Sequence, residues 1–289
     1  MGQGLALGLG EINGHVVGRV LKEALRRAMV RIRNGRMTLE VLTKPGYDGI
    51  SIDVFTSIDT EAQEVYLRTF LECFPNCGVI GEEDLRIPPK NGCRAYLIVD
   101  PLDGTKAYIR RQSHGVGTMV ALVIDEEVVC AYIGDINTEE VYGYRPGSDH
   151  VHRITQLDLF EKLTYYKPLE PGDAYVLLRD PVNTYDAASR RLVETVFKSH
   201  LVDGGSIGIW MARLWKREVA AAILRPGWQT PWDLMPIIGI SRKLGYIFCR
   251  PTVDGGWERF EPPITIDNYE TTHDILVVHY NDAPVVGVV

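Results

Sequence analysis

The hydrophobic residues near the start of the chain recur at helical spacing. Between residues 12 and 32 apolar side chains return every third or fourth position, with basic side chains between them, which is typical of an amphipathic helix. Asn34-Gly35 is predicted to end this helix. The alternating, β-branched run at 50–56 predicts a strand. Asp59 is predicted to cap a second helix directly after that strand.

Short apolar runs separated by turn residues make up much of the remaining first half. The runs at 79–80 and 95–99 each lead into acidic residues, so we expect two strands that deliver carboxylates. Three further runs, at 116–124, 128–134 and 140–144, predict an antiparallel meander. The first half is therefore predicted to be an α+β unit.

The second half alternates between strand and helix patterns. Strands are predicted at 175–178, 201–202 and 219–224, and helices at 186–200, 206–215 and 233–244. This alternation is typical of an α/β unit. The polar, proline-containing stretch at 145–172 is the predicted boundary. We therefore expect an α+β unit over residues 1–150 and an α/β unit over residues 151–289.

Composition narrows the class of partner. The chain has 289 residues and a net charge of −7, from 31 Lys and Arg against 38 Asp and Glu. It therefore lacks the basic surface of a nucleic-acid binder, and we expect no nucleic acid polymer as a partner. The five cysteines are odd in number and contain no C-x-x-C pair, so they indicate neither a disulfide framework nor a thiolate zinc site. No apolar run approaches the roughly 18 residues of a membrane span, and no signal peptide is recognisable, so a cytoplasmic protein without a membrane partner is expected.

The most informative segment follows the strand at 95–99. Asp100 ends the strand, Pro101 forces a turn, and Asp103 returns three residues later. Both carboxylates can then face one small volume, where they repel each other unless a cation or a shared proton lies between them. Taken alone, the segment is equally compatible with a capped helix start.

Other residues near such a site would extend its chemistry. The main-chain N–H groups of Gly104 and Thr105 open a turn or helix and could hold a phosphate oxygen. Glu82 follows the short strand at 79–80, although an acidic loop there could simply be solvated. Asp233 is predicted at the N-cap of a helix, which is also an ordinary place for an aspartate.

Taken in this order, the acidic motifs resemble those of the inositol monophosphatase family of magnesium-dependent, lithium-sensitive phosphatases. The resemblance spans residues 44–245, and Asp59 matches a fourth acidic position of the family. The most specific motif is Asp100-Pro101-Leu102-Asp103-Gly104-Thr105. The resemblance implies a layered αβαβα sandwich of the sugar phosphatase type, with the site at the junction of the halves.

The resemblance also implies a set of metal ligands. Glu82, Asp100 and the main-chain carbonyl of Leu102 would hold one Mg²⁺ ion. Asp100, Asp103 and Asp233 would hold a second, and a third, weaker ion near Glu82 is common in the family. Oxygen ligands of this kind suit hard divalent cations.

The implied reaction is hydrolysis of a small phosphate monoester. Thr105, Asp59 and Glu82 are the implied catalytic residues, with Thr105 and Asp59 orienting the attacking water. The N–H groups of Gly104 and Thr105 would bind the phosphoryl oxygens. The resemblance allows a homodimer without establishing one.

More than one class of phosphate ester is compatible with the sequence as the substrate. Pro226 occupies a position where inositol monophosphatases usually have an acid that binds sugar hydroxyls. Lys106 and Arg225 resemble the branch that cleaves 3′(2′),5′-bisphosphate nucleotides, where an arginine meets a second phosphate. Gly205 and Ser206 match the start of a helix that lines the substrate pocket.

Two alternatives accompany this interpretation. The stretch at 115–122 is similar to histidinol-phosphate phosphatases, so that substrate is kept beside inositol phosphates and bisphosphate nucleotides. A different class, a non-catalytic family member that only binds metal or phosphate, is also kept. The stretch at 259–274 is predicted to be a surface loop without an assigned role.

Overall fold

The computed structural model describes residues 13–37, 40–46, 52–165, 168, 170 and 172–288. Its helices are α1 (Gly14–Gly35), α2 (Ser57–Cys73), α3 (Thr105–Ile109), α4 (Ala187–Thr195), α5 (Ile207–Trp215) and α6 (Pro231–Lys243). Within these ranges, no helix is both long enough and apolar enough to cross a bilayer.

The strands fall into two large sheets and two short pairs. In chain order they are β1 (Val41–Pro45), β2 (Ile52–Thr56), β3 (Gly78–Gly81), β4 (Leu85–Ile87), β5 (Ala95–Asp103), β6 (Gly117–Ile124), β7 (Glu127–Asp135), β8 (Val141–Tyr144), β9 (His152–Ile154), β10 (Phe160–Lys162), β11 (Tyr175–Leu178), β12 (Ser199–Val202), β13 (Ala221–Leu224), β14 (Gly227–Gln229), β15 (Tyr246–Pro251), β16 (Trp257–Phe260), β17 (Tyr269–Thr271) and β18 (Ile275–His279).

The first large sheet has eight strands in the order β10-β9-β8-β7-β6-β5-β3-β4. Only β3 and β5 run parallel in it, and the predicted meander is β6, β7 and β8. The second sheet has six strands in the order β12-β11-β13-β18-β15-β16. In it β11 runs parallel to both of its neighbours, and the remaining pairs are antiparallel. The short pairs are β1 with β2 and β14 with β17.

Three hydrophobic clusters hold these elements in five layers. The first packs α1 and α2, through side chains such as Leu25 and Phe70, against one face of the eight-stranded sheet. The second fills the space between the two sheets, where α5 and α6 bury Met211 and Ile237. The third covers the outer face of the six-stranded sheet with α4, through Leu192. The layers therefore run αβαβα, and the predicted fold class is confirmed.

Two helices begin earlier than predicted. Asp59 lies inside α2, because Thr56 is the N-cap and its hydroxyl accepts a hydrogen bond from the Ile58 N–H at 3.2 Å. The Asp59 carboxylate accepts one in return from the Thr56 N–H at 2.8 Å, which forms a capping box. Asp233 likewise lies in the first turn of α6, where Thr230 is the cap. Both predicted caps were wrong because a threonine three residues upstream takes that role.

The stretch at 145–172 contains more structure than predicted. The short strands β9 and β10 extend the first sheet as far as Lys162, so a division at residue 150 stays a prediction. The helix predicted at 186–200 ends at Thr195, and residues 199–202 form β12. Strands of three or four residues are too short to show a clear alternation of apolar and polar side chains. Residues 12, 50 and 51 of the predicted elements lie outside the described part of the chain.

Candidate functional site

The end of β5 places two carboxylates next to each other between the sheets. Asp100 is opposite Met119 of β6, whereas Asp103 is opposite Gly117, and the pairing shifts register between these two positions. Asp100 is 2% exposed and Asp103 is 6% exposed. The irregular strand end therefore directs two acidic side chains into one buried region, as the sequence predicted.

Helix α6 supplies the third carboxylate. One oxygen from each of Asp100, Asp103 and Asp233 lies within 4.8 Å of the others. Burial raises the pKa of Asp100 well above its ordinary value, and the nearby charges of Glu82, Asp103 and Asp233 raise it further. Asp100 and Asp103 are buried and Asp233 is half-buried. Such a group of carboxylates, with oxygen donors alone, is the set that a hard divalent cation such as Mg²⁺ or Ca²⁺ prefers. The residues therefore fit the predicted metal.

The start of α5 fixes the orientation of Asp103. Its carboxylate accepts hydrogen bonds from the Ile207 N–H at 3.0 Å and from the Gly208 N–H at 2.8 Å. The Ser206 hydroxyl also donates to it. Burial nevertheless raises the pKa of Asp103 to about 6, helped by Asp233 and opposed by these donors. Ser206, predicted for the substrate pocket, thus contacts a predicted metal ligand.

A lysine that the sequence reasoning missed pairs with the acids after β3. Lys44 of β1 places its Nζ 3.1 Å from Glu82 Oε1 and 2.8 Å from Glu83 Oε1. Burial raises the pKa of Glu82 to about 8, although Lys44 acts in the opposite direction. Burial alone would lower the pKa of Lys44, but the negative charges of Glu82 and Glu83 outweigh burial and raise this pKa. Only the pairing of β1 with β2 brings this lysine near the cluster.

Thr105 links Asp59 to the main chain of β5. Its Oγ1 lies 3.2 Å from Asp59 Oδ1 and 3.0 Å from the Leu102 carbonyl oxygen. The single hydroxyl proton can be donated to only one of these acceptors at a time. Asp59 is fully buried, and burial raises its pKa to about 6 against the hydrogen bonds from Thr56. The threonine and aspartate predicted to orient water therefore are in contact.

Two glycines, Gly104 and Gly205, allow the main chain to pack closely around the Gly115 carbonyl, next to Thr105. Gly104 has φ +89°, and a Cβ there would lie 2.3 Å from the Gly115 carbonyl oxygen. Gly205 has φ +92°, and a Cβ there would lie 2.5 Å from the same oxygen. Both positions therefore require glycine. The Ser206 N–H donates to that carbonyl at 2.8 Å, which closes the contact.

The acidic cluster lines a cavity of about 480 Å³ that adjoins a second one of about 300 Å³. Lys106 lines the larger cavity and pairs with Asp53 at 3.2 Å. Arg225 lines the smaller cavity and pairs with Asp180 at 3.6 Å. Arg179 lines both cavities, and the sequence reasoning missed it. Its position directly after the strand predicted at 175–178 was the available signal.

Two curated proteins are similar in sequence to part of this chain. A histidinol-phosphatase of Chlorobaculum parvum is 32% identical over 117 residues, which cover 39% of this chain and 41% of that protein. A Nus factor SuhB of Xylella fastidiosa is 28% identical over 135 residues, which cover 46% of each. The chain thus spans less than half the length of these curated relatives.

Solved structures extend the similarity to the whole fold. A staphylococcal IMPase-I, solved in complex with products, superimposes with a TM-score of 0.71 at 16% identity and covers 95% of each chain. At this identity the likeness establishes the fold only. The model of the inositol monophosphatase family matches residues 14–255. The chain therefore belongs to the inositol monophosphatase family.

Proposed function

We propose that this protein hydrolyses small phosphate monoesters in a magnesium-dependent reaction. Family membership supports a phosphatase-type hydrolase. The observation that carries the finer proposal is the convergence of Asp100, Asp103 and Asp233 within 4.8 Å. A phosphate monoester is itself an anion, so it can approach this cluster only if divalent cations offset the carboxylate charges.

The proposed ligands follow from the donor set. Glu82, Asp100 and the Leu102 carbonyl would hold one Mg²⁺ ion, and Asp100, Asp103 and Asp233 a second, with a third, weaker ion near Glu82. When bound, magnesium acidifies a water nucleophile and offsets the charge of the leaving oxygen. Lithium sensitivity belongs to the same proposal.

Thr105 and Asp59 would position and deprotonate the attacking water. The threonine hydroxyl can donate to Asp59 while its oxygen accepts a hydrogen bond from water. Asp59 has a pKa of about 6, so it is mostly ionised at neutral pH and can receive a proton through Thr105. Glu82 borders the same cavity and is the third proposed catalytic residue.

Residues on the cavity wall would hold the rest of the substrate. The N–H groups of Gly104 and Thr105 would bind phosphoryl oxygens, and both residues line the larger cavity. Lys106, Gly205 and Arg225 remain proposed substrate contacts, since Lys106 lines the larger cavity, Arg225 the smaller one and Gly205 both. Ser206 would act through Asp103, because its hydroxyl is donated there.

Three ester classes stay in the proposal. They are inositol phosphates, 3′(2′),5′-bisphosphate nucleotides and histidinol phosphate. The last is supported by the histidinol-phosphatase relative, which matches 39% of this chain. Pro226 offers no carboxylate for sugar hydroxyls and so weakens the case for inositol.

A non-catalytic role is the second candidate. One relative is named a Nus factor, which points to a binding partner rather than a substrate. Against this role stands the contact between Thr105 and Asp59 at 3.2 Å, because a protein that only binds metal or phosphate has no need to orient water. A homodimer and a cytoplasmic location also remain proposals.

Phosphate release from a panel of these esters tests the proposal. We expect turnover with Mg²⁺, inhibition by lithium and loss of activity after chelation. Asp103→Asn is expected to lower kcat by several orders of magnitude, whereas the exposed control Asp254→Asn, with the same change of charge, leaves it unaltered. Absence of turnover with every ester would refute the proposed hydrolysis. Turnover that survives chelation would refute its dependence on magnesium.

A further inference from the structure

Arg179 lies at a fixed point directly after strand β11. Its main-chain N–H and that of Asp180 donate to the Tyr185 hydroxyl at 3.0 and 3.3 Å. Tyr185 is 3% exposed. The Asp203 N–H also donates to the Leu178 carbonyl at 3.0 Å. The backbone that carries Arg179 is therefore held from two sides, while its side chain is exposed.

This side chain lines the junction of the two cavities. Arg179 and Asp233 both border the larger cavity of about 480 Å³ and the smaller one of about 300 Å³. Burial raises the pKa of Asp233, and the positive charge of Arg179 is among the influences that lower it. Arg179 therefore lies at the junction of the two cavities, near enough to the acidic cluster for its charge to act on Asp233.

Other charged groups of the smaller cavity have partners. Arg225 pairs with Asp180 at 3.6 Å, and Asp203 pairs with Arg213 at 2.9 Å and with His114 at 3.5 Å. In the described ranges of the chain, no carboxylate forms an ion pair with Arg179. Of the two arginines that line the smaller cavity, Arg179 is thus the one without a carboxylate partner among the described residues, and its guanidinium can bind a ligand.

We propose that Arg179 is a specificity residue that binds a second negatively charged group, carried by the alcohol part of the substrate. The inference rests on the proposed function, with the ester phosphate at the acidic cluster, and adds that the alcohol part extends into the smaller cavity. A guanidinium binds carboxylates and phosphates through two parallel hydrogen bonds. Neutral polyol esters such as inositol phosphates gain nothing from this contact, and esters of amino alcohols such as histidinol phosphate are repelled by it. Among the three proposed ester classes the inference therefore favours the bisphosphate nucleotides.

Two esters of nearly the same shape test the assignment. 2-Phosphoglycerate carries a carboxylate where glycerol 2-phosphate carries a neutral hydroxymethyl group. We expect the wild-type protein to prefer 2-phosphoglycerate about tenfold or more in kcat/KM. Arg179→Gln should remove this preference, because kcat/KM for 2-phosphoglycerate should fall by a larger factor than kcat/KM for glycerol 2-phosphate. Phosphoethanolamine, a cationic ester, should be cleaved faster by the variant than by the wild type.

The exposed arginine of α4, Arg190, provides the matched control. Arg190→Gln makes the same change of charge outside both cavities and should leave the preference intact. If Arg179→Gln lowered kcat/KM equally for 2-phosphoglycerate and glycerol 2-phosphate, the arginine would contact the phosphoryl group that both share, and the proposal would be overturned. An unchanged preference would overturn it as well.

A binding measurement separates this inference from the proposed function. Titration calorimetry with 2-phosphoglycerate and glycerol 2-phosphate, in the presence of Ca²⁺, compares their Kd values without need of turnover. We expect tighter binding of 2-phosphoglycerate to the wild type and equal binding of both esters to Arg179→Gln. Absent turnover with this difference present would count against the proposed hydrolysis alone. Equal Kd values in the wild type would overturn the role of Arg179.

Discussion

The Ser206 hydroxyl donates a hydrogen bond to the Asp103 carboxylate, which lies more than one hundred residues earlier in the chain. Ser206 caps α5 between the two sheets, and Asp103 ends strand β5. The orientation of a proposed metal ligand in the first half therefore depends on a helix of the second half. Packing between the halves, rather than the acidic motif alone, sets the geometry of the site.

Ser206→Ala is expected to weaken Mg²⁺ binding about 10- to 100-fold, because groups that orient a metal ligand typically contribute this much. The helix cap is lost as well, since Ser206 also accepts from the Ile209 N–H at 3.0 Å, which costs about 1 kcal/mol of stability. Calorimetric titration with Mg²⁺ and thermal unfolding measure the two effects. Asp186→Ala removes the cap of α4 and should lower stability without weakening Mg²⁺ binding. Equal Mg²⁺ affinity in both variants would contradict the role of Ser206.

Thr105→Val keeps the shape of the side chain and removes the hydroxyl that links Asp59 to the cavity. We expect kcat to fall about 100- to 10,000-fold, the range that positioned proton transfer contributes, with Mg²⁺ affinity nearly unchanged. Steady-state kinetics and calorimetry distinguish the two quantities. The exposed Thr195 of α4 offers the control Thr195→Val, which should behave as wild type. A decrease in kcat of only twofold would remove Thr105 from the proposed mechanism.

Lys44→Gln should make the protein more dependent on magnesium for stability. The substitution removes the cation that lies 3.1 Å from Glu82 and 2.8 Å from Glu83, so the negative charges of the acidic cluster repel one another more strongly. We therefore expect a lower Tm without metal and a larger increase in Tm on addition of Mg²⁺ than in the wild type. Lys198→Gln removes a longer, exposed ion pair with Asp173, at 3.9 Å, and should change neither value. An unaltered Tm without metal would show that Lys44 does not offset the acidic cluster.

The stability of the metal-free protein should decrease as pH rises. Burial raises the pKa of Glu82 to about 8 and those of Asp103 and Asp59 to about 6, whereas carboxyl groups in the unfolded chain titrate near about 4. Between these values the folded state binds more protons than the unfolded state. The stabilisation is therefore complete below about pH 4 and is lost as pH rises through the folded pKa values.

Thermal unfolding at several pH values, with a chelator or with excess Mg²⁺, measures this dependence. Metal ions bind carboxylates in their deprotonated form, so the increase in Tm caused by Mg²⁺ should be larger at about pH 8 than at about pH 6. The exposed control Asp254→Asn should not alter this difference. An equal increase at both pH values would contradict a protonated acidic cluster in the metal-free protein.

The sequence by itself determined the local elements and much of the chemistry. Helical periodicity predicted α1, and apolar runs separated by turn residues predicted the strands β6 and β7. The acids at 100 and 103 could be paired from sequence because only three residues and a proline separate them. The family resemblance then assigned Glu82, Asp59 and Asp233 to the same site. Periodicity and motif spacing are properties of neighbouring residues, so they can be read from the chain directly.

Only the tertiary structure decided which distant side chains touch. The contact of Lys44 with Glu82 depends on the pairing of β1 with β2, and that of Ser206 with Asp103 depends on α5 packing between the sheets. The position of Arg179 at the junction of two cavities follows from the strand order of the six-stranded sheet. Each contact arises when layers that bury separate hydrophobic faces come together, and local sequence patterns do not encode how those layers align.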